Sequence, residues 1–295
     1  MSGEAVKQRS VTRADIEAFA LQYLTDPSRN VLTAENAAAP SDIGVTIYDA
    51  PLVCTGLADD PLWEQFKLPG AIGAIYRTPQ EWLPGAKSVI SVFAPFSEVV
   101  WRTNAAEPVY PSSAWVSAYR TGGALIKQLS VALAAWLNEA GYRAVAPAMS
   151  EDFRFVYEDG SDPDIPAGVS YASNWSERHA AFVCGHGTFG LSRGIITRRG
   201  MAGRFSSVVT DLELDPDERI YEGLYDFCIL CGKCMENCPP KAITKEGKKH
   251  TPCNAWLTEM KKRNGIAGCC GKCQVNVPCS TEIPAPAYRM ISQSH

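Results

Sequence analysis

The chain has 295 residues, 46% of them hydrophobic, 20% charged, and a net charge of −4. That is enough for one large domain, or a large and a small one, and it offers no basic field of the kind that gathers nucleic acid. No apolar run reaches the ~18–20 residues of a membrane span. The opening MSGEAVKQRSVTRADIEAFA has neither an apolar export region nor a twin-arginine pair, so the expectation is a cytoplasmic protein with no DNA or membrane partner.

Residues 11–25, VTRADIEAFALQYLT, carry apolar residues at helical spacing behind Thr12, which is placed to cap. KSVISVF, 87–93, is a short β-branched apolar run and reads as a buried strand. Residues 115–138 give the longest helical signal, closing on Gly141, and RAVAP at 143–147 reads as a strand. The Asp-, Gly- and Pro-rich stretch 151–173 predicts a surface loop. SERHAAFVC, 176–184, predicts a short helix with Gly185 beyond its end, and 191–214 two strands around a Gly200–Gly203 turn. Alternating helices and strands argue for an α/β body, with the strand order open. Composition shifts after Asp215–Pro216, which places a body at 1–215 and a tail at 216–295.

Cysteine usage separates the two parts. Of eleven cysteines, nine fall between Cys228 and Cys279, leaving Cys54 and Cys184 upstream. In a reducing compartment such a cluster points to metal rather than to disulfides. Cys228, Cys231, Cys234 and Cys238 form C-x2-C-x2-C-x3-C followed by Pro239. In two-cluster ferredoxins the first three thiolates of this run hold one cubane, and the fourth ligates the other cluster. The expected sets are therefore Cys228, Cys231, Cys234 and Cys279 for one [4Fe–4S] cluster, and Cys238, Cys253, Cys270 and Cys273 for a second. Cys269 is left as a neighbour or an alternative ligand. A single-cluster protein and a structural zinc site are the plainer alternatives, although zinc favours two separated cysteine pairs.

Gly185-His186-Gly187-Thr188-Phe189-Gly190 matches G-x-G-x-x-G. A dinucleotide fingerprint needs a strand before it and a helix after it; here a helix precedes and a strand follows. The three glycines instead suggest a loop close to a bulky ligand, or simply a tight loop.

WSERHAAFVCGHGTFGLSRG, VVTDLELDPD and CILCGKCMENCPPKAI follow one another in an order that resembles the epoxyqueuosine reductase and reductive dehalogenase superfamily. Those proteins run from a helix through a glycine-rich loop and a hairpin ending near T-D-L to a two-cluster tail. Their last cysteines read C-x2-C-x3-C-P, where this chain has the longer CGKCQVNVPC. The resemblance covers about residues 85–283 and is strongest over 175–279. It implies a nitroreductase-like, cobalamin-binding α/β (α+β) body with a C-terminal two-cluster ferredoxin-like domain, the nearer cluster reducing the cobalt. Gly185, Gly187, Gly190, Arg193 and Gly194 would lie against the corrin or its nucleotide tail.

Two departures bear on substrate. The epoxyqueuosine reductases carry Y-A-x-G-R-D-Y-H-K, of which this chain keeps Tyr119, Gly122 and Lys127 and loses R-D-Y-H. Their catalytic Asp stands in a V-D-S-A-P context, whereas Val145-Ala-Pro-Ala-Met-Ser150 has no Asp before Asp152. Both argue against queuosine chemistry, and the missing export signal argues against respiratory dehalogenation. Candidate proton donors are Tyr119 first, then Glu151, Asp152 and His186; His179 and Cys184 read as buried structural residues. Three functions compete: a reductase passing electrons through two clusters to a corrinoid and an organic substrate; a corrinoid-reducing or corrinoid-processing protein; and an electron-transfer protein without a substrate of its own. All three call for an external donor such as a ferredoxin or flavodoxin.

Overall fold

A computed structural model describes residues 9–157, 171–265, 268–285 and 287. The chain runs α1 (Arg13–Thr25), β1 (Leu52–Leu57), α2 (Leu62–Gln65), α3 (Pro79–Trp82), β2 (Ser88–Pro95), α4 (Glu98–Ala106) and α5 (Ser113–Glu139). It continues through β3 (Ala144–Val145), β4 (Phe155–Tyr157), β5 (Tyr171–Ser173), α6 (Glu177–Val183), β6 (Gly187–Phe189), β7 (Ile195–Thr197) and β8 (Gly203–Thr210). The tail adds α7 (Lys233–Glu236), β9 (Ile243–Thr244), β10 (Gly247–Lys248) and α8 (His250–Asn264).

The body is built on a four-stranded sheet in the order β1-β2-β8-β3, antiparallel at every pairing. All eight residues of β2 are buried, as a strand covered on both faces requires. Alternation along it divides the packing. Ile90, Val92 and Ala94 join α1 and α5 in one core, whereas Val89 packs with α6 in the other. Ser112 starts α5 by accepting from the Trp115 amide at 3.2 Å. Leu125, Leu129, Leu133 and Leu137, four apart, then give the helix one continuous buried stripe. Thr12 and Asp15 close a capping box on α1. The body is thus a mixed fold whose sheet lies between two helical layers. Among the described residues no helix is long and apolar enough to cross a membrane.

Three local expectations change. The stretch 151–173 is not all loop: β4 and β5 pair antiparallel through Phe155–Ser173 and Tyr157–Tyr171, while 158–170 lies outside the described residues. RAVAP contributes only the two-residue β3. The strands flanking the Gly200–Gly203 turn do not pair with each other: β7 pairs back with β6, and β8 enters the middle of the main sheet.

After β8 the chain stays on the body before the first cysteine. The Asp217 amide donates to Thr55 O at 2.8 Å, and its carboxylate takes the Arg13 guanidinium at 2.6 and 3.0 Å. Tyr221 Oη reaches Phe182 O, and the Phe227 amide donates to Thr188 Oγ1 at 2.9 Å.

Candidate metal centre

The tail's cysteines sit on tight turns rather than on long elements. Leu230 and Gly232 take left-handed backbone on either side of Cys231, and Gly268, Gly271 and Asn276 do so around Cys270 and Cys273. Such turns aim successive side chains inward. At Gly271 only a glycine serves, because a Cβ there would strike the Trp115 indole.

The structure brings Cys228, Cys231, Cys234 and Cys279 to the wall of one small cavity, beside Gly190, Leu191 and Ser192. The Cys279 thiol is pushed up to about 12, by burial first and then by Cys228, Cys234 and Cys231 around it. A second group gathers beside it. Cys270 is pushed up to about 11, by burial first, with Cys273 and Cys253 as its charged neighbours. Cys238, also raised chiefly by burial, faces Cys273 and Cys253. Cys234 and Cys273 influence each other across the boundary, so the groups adjoin. Among the described residues no three His, Cys, Asp or Glu side chains close on the single point that a lone zinc ion needs. Each iron of a cubane asks instead for one thiolate at its own corner. Cys269 is buried next to Val116 and Met260, with the Asn264 amide at 3.7 Å from its sulfur.

The two groups are tied to the body at different places. Met201 and Ala202 amides donate to the Cys279 and Ser280 carbonyls at 3.0–3.1 Å, which accounts for the close turn at Gly200. On the other side Lys272 is 3% exposed and donates to Asn104 O at 2.6 Å, Asn104 Oδ1 at 3.1 Å and Glu107 O at 2.6 Å. Burial draws its ammonium down to about 8. Trp256 Nε1 donates to Cys270 Sγ, and the Ala242 amide to Cys238 Sγ, both at 3.3 Å. Asn237 Nδ2 bridges the two halves by donating to Val275 O and Asn276 O.

The other expected site residues scatter. Tyr119, half-buried, lies under the Arg204 guanidinium, 4.3 Å from ring centre to Cζ, and its hydroxyl abuts Gly268 of the second cysteine loop. Glu151 and Asp152 are exposed, Asp152 3.4 Å from Arg77. His186 is buried against β2, its Nε2 3.0 Å from Ser91 O. A carbonyl only accepts, so Nε2 carries the proton. Burial lowers His186 to about 4, which keeps the ring neutral near pH 7, and its Nδ1 has no hydrogen-bond partner among the described residues. These four therefore form no common cluster. His179 is lowered to about 3 by burial, hydrogen-bonded to Ser176 and packed on Phe66 at 4.6 Å.

Of the glycine-rich loop, Gly185 and Gly187 are consumed by packing inside the protein. A Cβ on Gly187 would collide with Ile196 O, and one on Gly185 would press on Asp217. Gly190 closes a turn with Gly194 (N to O, 2.8 Å), in which Arg193 has φ 61°, and this turn borders the first cysteine group. Sequence reasoning missed Lys272, Asn104 and Trp256. CGKC shows the lysine, but its partners lie more than 160 residues upstream.

Residues 224–244 match the model of a 4Fe-4S binding domain. A tetrachloroethene reductive dehalogenase of Desulfitobacterium hafniense is 42% identical over 67 residues, 22% of this chain and 12% of that protein. The tetrachloroethene reductive dehalogenase of Sulfurospirillum multivorans is 34% identical over 87 residues, 25% of this chain and 17% of its own length. Among solved structures, a catabolic reductive dehalogenase aligns with TM-score 0.47 and 16% identity, over 82% of this chain and 32% of that one. The epoxyqueuosine reductase of Bacillus subtilis aligns with TM-score 0.45 and 17% identity, over 81% and 63%. The chain therefore spans about an eighth of the first of these curated relatives. It carries a 4Fe-4S binding domain near its C-terminus and is similar, over part of its length, to reductive dehalogenases.

Proposed function

We propose that this chain is an iron–sulfur oxidoreductase in which a ferredoxin-like tail, 216–295, holds two [4Fe–4S] clusters and delivers electrons to a nitroreductase-like body, 1–215. The observation that supports the reading is the gathering of Cys228, Cys231, Cys234 and Cys279 round one cavity with Cys238, Cys253, Cys270 and Cys273 adjoining them, eight cysteines that we divide into two sets of four. Such a pair is a one-electron wire. Its source is an external carrier of ferredoxin or flavodoxin type. Of the candidate proton donors, Tyr119 is best supported, because it alone touches a cysteine loop and stands beside a cation, Arg204.

The acceptor that the resemblance implies is a corrinoid reducing an organic substrate. Two cavities bear on where it could sit. The cavity between the first cysteines is walled by those thiols themselves. The large one, about 550 Å³, is lined by Asp60, Phe182, Asp217, Arg219 and Tyr221, with no cysteine among them. We therefore derive no step through a corrin. The separation of the larger of these two cavities from the cysteines favours, as a second reading, an electron-transfer protein that passes its electrons to a partner.

Anaerobic purification with added cobalamin, followed by metal analysis and a visible spectrum, tests both. About eight irons and one cobalt per chain support the corrinoid reductase, or a corrinoid-processing protein. Eight irons with no retained cobalt favour the electron-transfer reading. About four irons per chain sink the two-cluster assignment.

A further inference from the structure

The two cysteine groups differ in what surrounds them. Lys272 lies between Cys270 and Cys273 in sequence and is buried, and its three N–H bonds are all met by uncharged oxygens: Asn104 O, Asn104 Oδ1 and Glu107 O. A lysine with three acceptors for three donors is held as an ammonium. No carboxylate pairs with it directly; the Glu107 side chain acts on it only at longer range. Lys248 comes next, half-buried beside Cys273 and Cys253. The sulfurs of this group also accept from Trp256 Nε1 and the Ala242 amide. Around the first group the surroundings are different. Its nearby cation, Lys233, is exposed and paired with Glu236 at 2.7 Å. The hydrogen bonds bearing on its thiols come from the backbone of Cys234 and Cys279 themselves.

Reduction adds one negative charge to a cluster, so nearby fixed positive charge and hydrogen bonds to sulfur raise its potential. Solvent favours the reduced state as well and acts at the first group, but only Cys231 of its four ligands is exposed. Buried Lys272 and half-buried Lys248 beside the second group outweigh one wet ligand in the first, because buried charges are screened least.

We propose that Lys272, seconded by Lys248, holds the second cluster at a higher reduction potential than the first, so that electrons enter at the Cys231 edge and come to rest on the cluster docked against α4 and α5. The step balances as one electron. The first cluster is oxidised as the second is reduced, and an external one-electron iron–sulfur or flavin carrier reduces the first again. This inference rests on the two-cluster reading, and its position matters for delivery. The second group's loop is the one that touches Asn104, Trp115 and Tyr119 of the body.

The test is a redox titration of the full, anaerobically reconstituted chain at neutral pH, followed by electron paramagnetic resonance, with iron counted beforehand. Two midpoints are expected. Lys272→Gln, which keeps a donor for the Asn104 and Glu107 oxygens and removes the charge, should lower only the higher midpoint, by about 59 mV, tenfold in the reduction equilibrium. Lys248→Met should lower the same midpoint by less. A full complement of about eight irons with neither midpoint moved, or with the lower one moved instead, overturns the proposal and leaves the two-cluster reading standing. About four irons in the unmutated chain overturns both. Should Lys272→Gln fail to hold iron, Lys248→Met decides: a lowered upper midpoint supports the proposal and an unmoved one refutes it.

Discussion

Body and tail are stabilised by different physics. The body buries two apolar cores on the faces of one sheet, with Trp63, Trp115, Trp175 and Phe93 fully enclosed. In the tail the 15-residue helix α8 buries only Met260, and the apolar group around the cysteines has just Leu191, Cys238, Ala242 and Ile243 fully buried. A segment this short with so little core needs staples, and metal ligation supplies them. One half of the molecule is thus specified by hydrophobic burial, the other by its ligands.

The sharpest way to break that contrast is to remove the iron. Chelation, or Cys234→Ser together with Cys273→Ser, should abolish amide-exchange protection across 228–279 while β2, β8 and α5 remain protected. Equal loss in both regions would show that the tail is not metal-held. Next in size, Leu129→Ala in the body should cost ~2–5 kcal/mol of unfolding free energy and leave the iron content per folded chain unchanged. Gly271→Ala should do the reverse. It strains a left-handed position against Trp115, costing on the order of 1–3 kcal/mol, and its first readout should be lost iron rather than a lowered body Tm.

A subtler difference is electrostatic and confined to the body. Glu177, which accepts from Ser207 Oγ at 2.6 Å, is raised by burial from its ordinary 4.5 to about 7. It holds its proton in the fold longer than in the unfolded chain, so its contribution is complete below pH 4.5 and is lost as pH rises through 7. His186, lowered from 6.5 to about 4, has the opposite sign: stability is lost as pH falls from 6.5 toward 4. Glu177→Gln should therefore steepen acid destabilisation relative to wild type, by on the order of 1 kcal/mol per pH unit. His186→Gln should make stability fall with rising pH. Urea titrations between pH 4.5 and 7 would read both slopes. The smallest effect is expected from Arg13→Ala. The Arg13–Asp217 pair has side chains 36% and 25% exposed, and such pairs contribute roughly 1 kcal/mol or less. An unchanged iron content would show that this tie, which joins α1 to the first residues of the tail, does not hold the metal.

What could be read from the sequence follows the same division. Thr12 and Asp15, the run of β2, the leucine stripe of α5 and the stop at Gly185 are local signals, and each element formed where its signal lay. Cysteine spacing marked the run Cys228–Cys238, which the 4Fe-4S binding domain match covers, because ligation chemistry fixes short-range geometry. Pairing partners were hidden. The strands on either side of Gly200–Gly203 look like neighbours, yet one returns to Gly187–Phe189 and the other joins β2 and β3. The hairpin stem at Phe155 and Tyr171 is only three residues a side, too short for its alternation to stand out from loop. His186 looked reactive between glycines because a sequence does not show that β2 will bury it. Lys272 stayed unread for the same reason, its oxygens being supplied by α4 and the residue just beyond it.

Cys279 reaches the first group only because Met201 and Ala202 offer their amides to Cys279 O and Ser280 O. The position of Cys279 is therefore set by the turn at Gly200 and not by its own loop alone. The Gly200 turn precedes Cys279 in the chain, so a fault in the body's sheet that moves this turn would displace Cys279 as well.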